Sequence, residues 1–246
     1  MYLKCSMTVV LLLFASLVKA QETSIPIEND NTIVLGVVEF PPLVIKDPVG
    51  FGCHGEAVTI SRTILELVGY KVEVECPPPA RLFERIRKGK VDITVNVKGT
   101  KALDNNVTFV EKPFSHLSIV LMTNTGAGGD KTVAAIRGYD YVGLRQELVD
   151  SNYTFFDMPN STDAIQLFQF GRTTHLLTYE APYLYHIERV PDNISDLAVS
   201  MRRNIPTFFA ISNKSERKTE LLEKLTRLFK LSESGTVIEQ MQTMNE

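Results

Sequence analysis

The sequence lacks most of the signatures by which a catalyst is recognised. Its four histidines, His54, His116, His175 and His186, show no metal-binding spacing such as HExxH. No glycine-rich phosphate loop of the P-loop or dinucleotide type appears, and no Gly-x-Ser-x-Gly elbow. Asp92, just after the glycine turn at Gly89, reads as a turn and sheet-edge residue. No cofactor and no metal are therefore expected. Acidic residues outnumber basic ones, 29 against 26, which gives no reason to expect nucleic acid or an anionic membrane as partner. Beyond the first 20 residues no apolar run is long enough to span a membrane. There is no tandem repeat with a period of about 20–50 residues.

Cysteine is also scarce, with three in all. Residues 1–20 read as a secretory signal peptide: Lys4, an apolar run through Val9–Leu13, and small residues at Val18 and Ala20 before Gln21. Cys5 leaves with that segment. Cys53 and Cys76 remain, and an even pair in an exported protein predicts one disulfide between the loop before the first helix and the end of the second strand. Two buried free thiols are the alternative. Two cysteines without further ligands do not make a metal site.

What is present is an alternation of strands and helices. Gln21–Asn31 is a polar leader. Thr32–Phe40 has the apolar density of a buried parallel strand, and Pro41 and Pro42 stop it. Glu56–Val68 is a helix closed by Gly69, and Lys71–Glu75 a second strand. Arg81–Lys88 is a helix closed by Gly89, followed by a strand at Asp92–Val97 and an exit through Gly99 to Thr100. This is the rhythm of a mixed or parallel α/β sheet, which takes ligands at the carboxyl ends of its strands. A strand at Leu117–Thr123 runs into Gly126, Gly128 and Gly129, the best domain boundary in the chain.

The second half repeats the pattern on a smaller scale. Leu144–Asp150 is a brief helix, Tyr153–Phe156 a strand, and Asn160 caps a helix through Phe170, which Gly171 ends. Leu176–Tyr179 is a strand, Ala181–Val190 a helix, Pro206–Ile211 a strand, Ser215–Lys230 and Ser234–Met241 helices. Two lobes are predicted, joined by crossings near Thr123–Gly129 and Asp196–Arg203. Lobe one comprises 21–123 and 204–246, and lobe two 124–203. The reading requires that the halves do not share one continuous sheet.

These residues carry a resemblance. Phe40-Pro41-Pro42 after the first strand, Gly55 and Gly69 around the first helix, Gly-Lys-Val-Asp at 89–92, Thr100, and Phe-x-x-x-Pro-Phe at 109–114 come in order. In that order the chain resembles bacterial periplasmic solute-binding proteins of the amino-acid uptake type. Pro79 and Arg81 are similar to a divergent branch. The family's aspartate falls on Thr59 and its loop arginine, which clamps a ligand carboxylate, on Leu103. Glu180 with Pro182 looks like the acidic residue that holds a ligand ammonium.

The resemblance implies a two-lobe α/β fold of the type II binding-protein kind, with a hinge of two crossing segments. It implies a small polar solute in the cleft, an amino acid or related amine-bearing carboxylate, delivered to a membrane transporter or a sensor. Candidate contacts are Phe40, Arg81, Thr100, Ser161, Thr162 and Glu180, with Arg137, Arg202 and Arg203 as spare cations. A non-enzymatic, periplasmic monomer is expected. The alternatives are a dehydratase-like enzyme on the same fold and a protein-interaction module with a degenerate cleft. Asn106, Asn152, Asn160, Asn193 and Asn213 open Asn-x-Ser/Thr sequons, which leaves open an extracellular eukaryotic protein similar to the ligand-binding part of glutamate receptors.

Overall fold

The computed structural model describes residues 31–49, 52–190, 194, 196–230 and 235–243. The signal segment 1–20, the leader before Asn31 and the Asn193 sequon lie outside the described residues. The first half follows the expected alternation: β1 (Thr32–Gly36), a small hairpin of β2 (Ile45–Lys46) and β3 (Cys53–His54), α1 (Glu56–Leu67), β4 (Lys71–Glu75), α2 (Pro79–Arg87) and β5 (Ile93–Val97). Between β4 and β5, and parallel to both, runs β1. Its near-continuous apolar run has a cause, since both its faces are covered. Ile33 and Leu35 lie in a core with Ile60, Ile64 and Leu65 of α1. On the opposite face Val34 packs with Leu82 and Ile86 of α2. The turn after α2 needs Gly89, whose φ is +68°. Cys53 and Cys76 are joined by a disulfide with a Cα–Cα distance of 5.7 Å.

Two long strands, β6 (Val107–Asn124) and β10 (Leu197–Ser212), pair antiparallel along nearly their whole lengths. Between them come β7 (Thr132–Ile136), α3 (Leu144–Asp150), β8 (Thr154–Met158), α4 (Ser161–Gln169), β9 (His175–Tyr179) and α5 (Glu180–Ile187). The chain closes with α6 (Lys218–Lys230) and α7 (Val237–Thr243). Thr207–Ile211 of β10 sits beside β5, whereas Ile119–Thr123 of β6 sits beside β9. Each long strand thus begins in one half and ends in the other.

One expectation is corrected. Hydrogen bonding runs unbroken through β4-β1-β5-β10-β6-β9-β7-β8, because the crossing segments are themselves strands and pair with each other. The two lobes are distinguished by their cores. Leu221 and Leu225 of α6 close the α1 core of the first lobe. Around β6 and β9, one face buries Ile119, Leu121 and Leu177 with Leu144 and Leu148 of α3. The other buries Val120, Met122 and Leu176 with Ile165 and Phe168 of α4. Phe40 packs against a core of each lobe.

The long strands extend well beyond the stretches read from sequence. Pro113 and Pro206 lie inside them and interrupt the apolar pattern; the register shifts close by, between Thr207 and Phe208. The strand β7 was not read at all, because Ala134 and Ala135 carry little strand signal. Among the described residues no helix is long and apolar enough to cross a membrane.

Candidate functional site

The carboxyl ends of β1, β7 and β9 converge. Beyond β1 the chain turns at Pro41 and Pro42, and Phe40 is tied to Val44 by backbone hydrogen bonds of 2.8 and 2.9 Å. This turn presents the Phe40 ring to Tyr179, the last residue of β9, at 5.1 Å and 69°. Tyr139, in the loop after β7, stands 6.4 Å from Tyr179 at 77°. Tyr141 completes the group, 5.6 Å from Tyr179.

Around these rings lie three neighbouring spaces, all lined by Val38, Tyr139 and Tyr179. The first, about 410 Å³, takes Glu39, Phe40, Lys46 and Pro77–Pro79 from lobe one and Asn160–Asp163 with the two tyrosines from lobe two. The second, about 300 Å³, includes Asn96, Thr100, Lys101, Arg137 and Asp140. A third of about 100 Å³ lies under Phe40 and is mostly apolar. The first two have the size of sites for small solutes.

The polar groups of the first cavity are few. Asn160 caps α4: its Oδ1 accepts from the Asp163 N–H at 2.9 Å, and its Nδ2 donates to Asp163 Oδ2 at 3.0 Å. The N–H groups of Ser161 and Thr162 begin the helix, where the backbone dipole favours negative charge. Burial raises the hydroxyl pKa of Tyr139, Tyr141 and Tyr179, so all three stay protonated. Tyr141 accepts from the Ile136 N–H at 2.9 Å. Among the described residues the hydroxyls of Tyr139 and Tyr179 have no hydrogen-bond partner.

Of the residues singled out from sequence, Phe40, Ser161 and Thr162 meet on the first cavity. Thr100 lines the second, and its hydroxyl lies 3.0 Å from Asn96 Oδ1 and 2.9 Å from the Val97 carbonyl, which holds its own loop. Arg81 is exposed on a flanking recess shared with Lys46 and Arg85. Glu180 does not line the first cavity; its Oε2 accepts from Arg202 at 2.6 Å. Tyr179 and Pro182, three residues apart, share the cavity-facing side, which turns Glu180 away. Arg203 is held by Glu147 at 3.1 Å, and Arg137 lies on the second cavity. Leu103, where the family arginine would stand, is buried with Leu82, Ile86 and Val91. Among the described residues no cluster of three His, Cys, Asp or Glu is placed to hold a metal.

Sequence reading missed Tyr139, Tyr179, Lys46 and Asp163 as lining residues. Tyr179 ends a predicted strand and carried the signal in plain view. Tyr139 follows the unread β7.

No family model matches the chain, and no curated protein sequence matches it. Solved structures do. A histidine kinase sensor domain with similarity to periplasmic binding proteins shares 19% identity, over 87% of this chain and 91% of that one, at a TM-score of 0.65. The GLUR0 ligand-binding core, in complex with L-glutamate, shares 20% over 85% and 95%, at 0.65. A substrate-binding protein of an ABC uptake transporter from Streptococcus pneumoniae, with bound histidine, shares 16% over 82% and 86%, at 0.64. The chain has the two-lobe α/β fold of periplasmic binding proteins.

Proposed function

We propose that this protein binds a small polar solute between its lobes, an amino acid or related amine-bearing carboxylate, and passes the bound state on to a membrane transporter or a sensor. The observation that carries the reading is the cavity of about 410 Å³ lined by Phe40 of one lobe and by Ser161 and Thr162 of the other. Solutes bound to structures of the same fold, glutamate and histidine among them, support the class. The sensor domain and the uptake protein support the two kinds of partner. A monomer acting outside the cytoplasm, without a covalent step, completes the proposal.

Closure is proposed as a bend of β6 and β10 where they leave one lobe for the other, around Ser115–Leu117 and Asn204–Pro206. That is nearer the middle of the strands than the glycines after Thr123, since Ile119–Thr123 already pairs with β9. In this account Phe40, Ser161 and Thr162 touch the solute and Thr100 shapes the neighbouring space. Native mass spectrometry of freshly purified protein tests it: a co-purified small molecule, lost on unfolding and restored on refolding with it, is expected. Protein that carries nothing and shifts its melting temperature with no amino acid or amine refutes it.

A further inference from the structure

The first cavity is short of positive charge. A cleft that reads a carboxylate needs a fixed cation or a free array of donors. Lys46 is the one cation lining this cavity among the described residues, exposed on the edge of a two-residue strand. The neighbouring arginines do not line it: Arg85 is spent on Glu75 at 2.6 Å, Arg81 opens on the flanking recess, and Arg137 lies on the second cavity. The start of α4 offers N–H donors, but Asp163 stands in the same turn and sets a carboxylate against them.

Negative charge and aromatic surface are better supplied. Glu39 and Asp163 both line the cavity, one from each lobe. The Glu39 carboxylate has no hydrogen bond or ion pair among the described residues. Phe40 and Tyr139 each stand at a steep angle to Tyr179, 69° and 77°, so the three rings form walls that meet at corners. Aromatic faces attract a positive charge and do nothing for a carboxylate. The hydroxyls of Tyr139 and Tyr179 add acceptors that have no partner among the described residues.

We infer that this cleft recognises the cationic end of its ligand: an organic ammonium is held among Phe40, Tyr139 and Tyr179 with Glu39 as counter-charge, and a carboxylate on the same molecule is dispensable. The inference rests on the solute-binding reading above and changes its emphasis. Amines lacking a carboxylate become ligands on equal terms with amino acids.

Two matched pairs test this by isothermal titration on the full secreted chain: L-arginine against agmatine, and L-phenylalanine against phenethylamine. In each pair that binds, the decarboxylated member is expected to bind within about threefold of the amino acid or more tightly, and Glu39→Gln to weaken it about tenfold or more. Glu39 is exposed, so this variant leaves folding intact. Phe40→Tyr should retain binding of the amine where Phe40→Leu loses it. An amine bound more than about threefold more weakly than its amino acid overturns the inference and leaves solute binding standing, and so does an unaffected Glu39→Gln. Failure of all four probes overturns the inference, while solute binding itself stands or falls on the co-purification and melting test above.

Discussion

Phe40 ends the excursion from β1 and Tyr179 ends β9, and the two rings meet edge to face at 5.1 Å across the junction of the lobes. Phe40 packs at once against the first lobe's core and against one of the second's. One side chain therefore serves both the interlobe contact and the cavity wall. Phe40→Ala should lower unfolding free energy by about 1–3 kcal/mol, less than for a fully buried phenylalanine, and weaken solute binding together with it. Urea unfolding and titration on the same sample check this. A loss of affinity without a loss of stability would mean that the ring contacts solute alone.

The Cys53–Cys76 bond ties β3 to the exit of β4 and encloses a separation of 23 residues. Replacing both cysteines by serine should cost about 3 kcal/mol, the chain-entropy value for a loop of that size. Cys76 also lines the first cavity with Pro77, so solute affinity should fall as well. In protein lacking residues 1–20, thiol titration after unfolding without reductant is expected to find no free thiol. Two reactive thiols would contradict the bond.

The legible parts of the sequence were those with a single dominant pattern. The helix α2 with Gly89 and β5, the run of β1, and the Asn160 cap of α4 each follow from apolar spacing plus one stop or cap residue. The long strands were half legible, because Pro113 and Pro206 mimic boundaries in an antiparallel pair that tolerates them beside a register shift. The site was less legible than the fold. Phe40, Ser161 and Thr162 could be found because strand ends and helix starts mark themselves in sequence. Which side of the first turn of α5 faces the cleft depends on packing, and so Tyr179 and Pro182 point in where Glu180 does not. Leu103 shows the same limit: its place in a buried cluster with Leu82 explains an apolar residue there, and no local pattern reveals what replaces the missing charge.

Arg81 lies on the exposed flanking recess. Arg81→Ala should change stability by less than about 0.5 kcal/mol and affinity by less than about twofold. A residue clamping a buried carboxylate would instead cost about 2–5 kcal/mol of binding. Titration of wild type and variant with the co-purified solute separates the two. A large loss would return the carboxylate to the centre of recognition.

Gly89 occupies a turn that no other residue fits. Its φ is +68°, and a Cβ there would stand 2.5 Å from the Lys214 carbonyl oxygen. Strain and collision add, and the obstacle is backbone that cannot swing aside. Gly89→Ala should destabilise the protein by about 1–3 kcal/mol without touching the cavity. Denaturant midpoints measure it, and an unchanged midpoint would show that the turn after α2 relaxes freely.

His175 carries the last prediction. It begins β9, is 8% exposed, and stands against the Tyr153 ring at 5.1 Å. Its Nδ1 is 2.8 Å from Thr123 Oγ1, which in turn lies 2.5 Å from Ser200 Oγ. Burial lowers its pKa, and a hydrogen bond with the Asp130 backbone offsets this only in part. The folded protein therefore prefers the neutral ring, while the unfolded chain takes up a proton near the ordinary value of about 6.5. Below that pH the unfolded state binds more protons, so stability falls with pH until the folded pKa is passed. Above it this contribution is fully present. The urea midpoint should accordingly drop between about pH 7.5 and pH 5.5, and the drop should shrink in His175→Gln. The comparison is of slopes, so a lower absolute stability of the variant does not obscure it. An identical slope in both proteins would place the pH dependence on other groups.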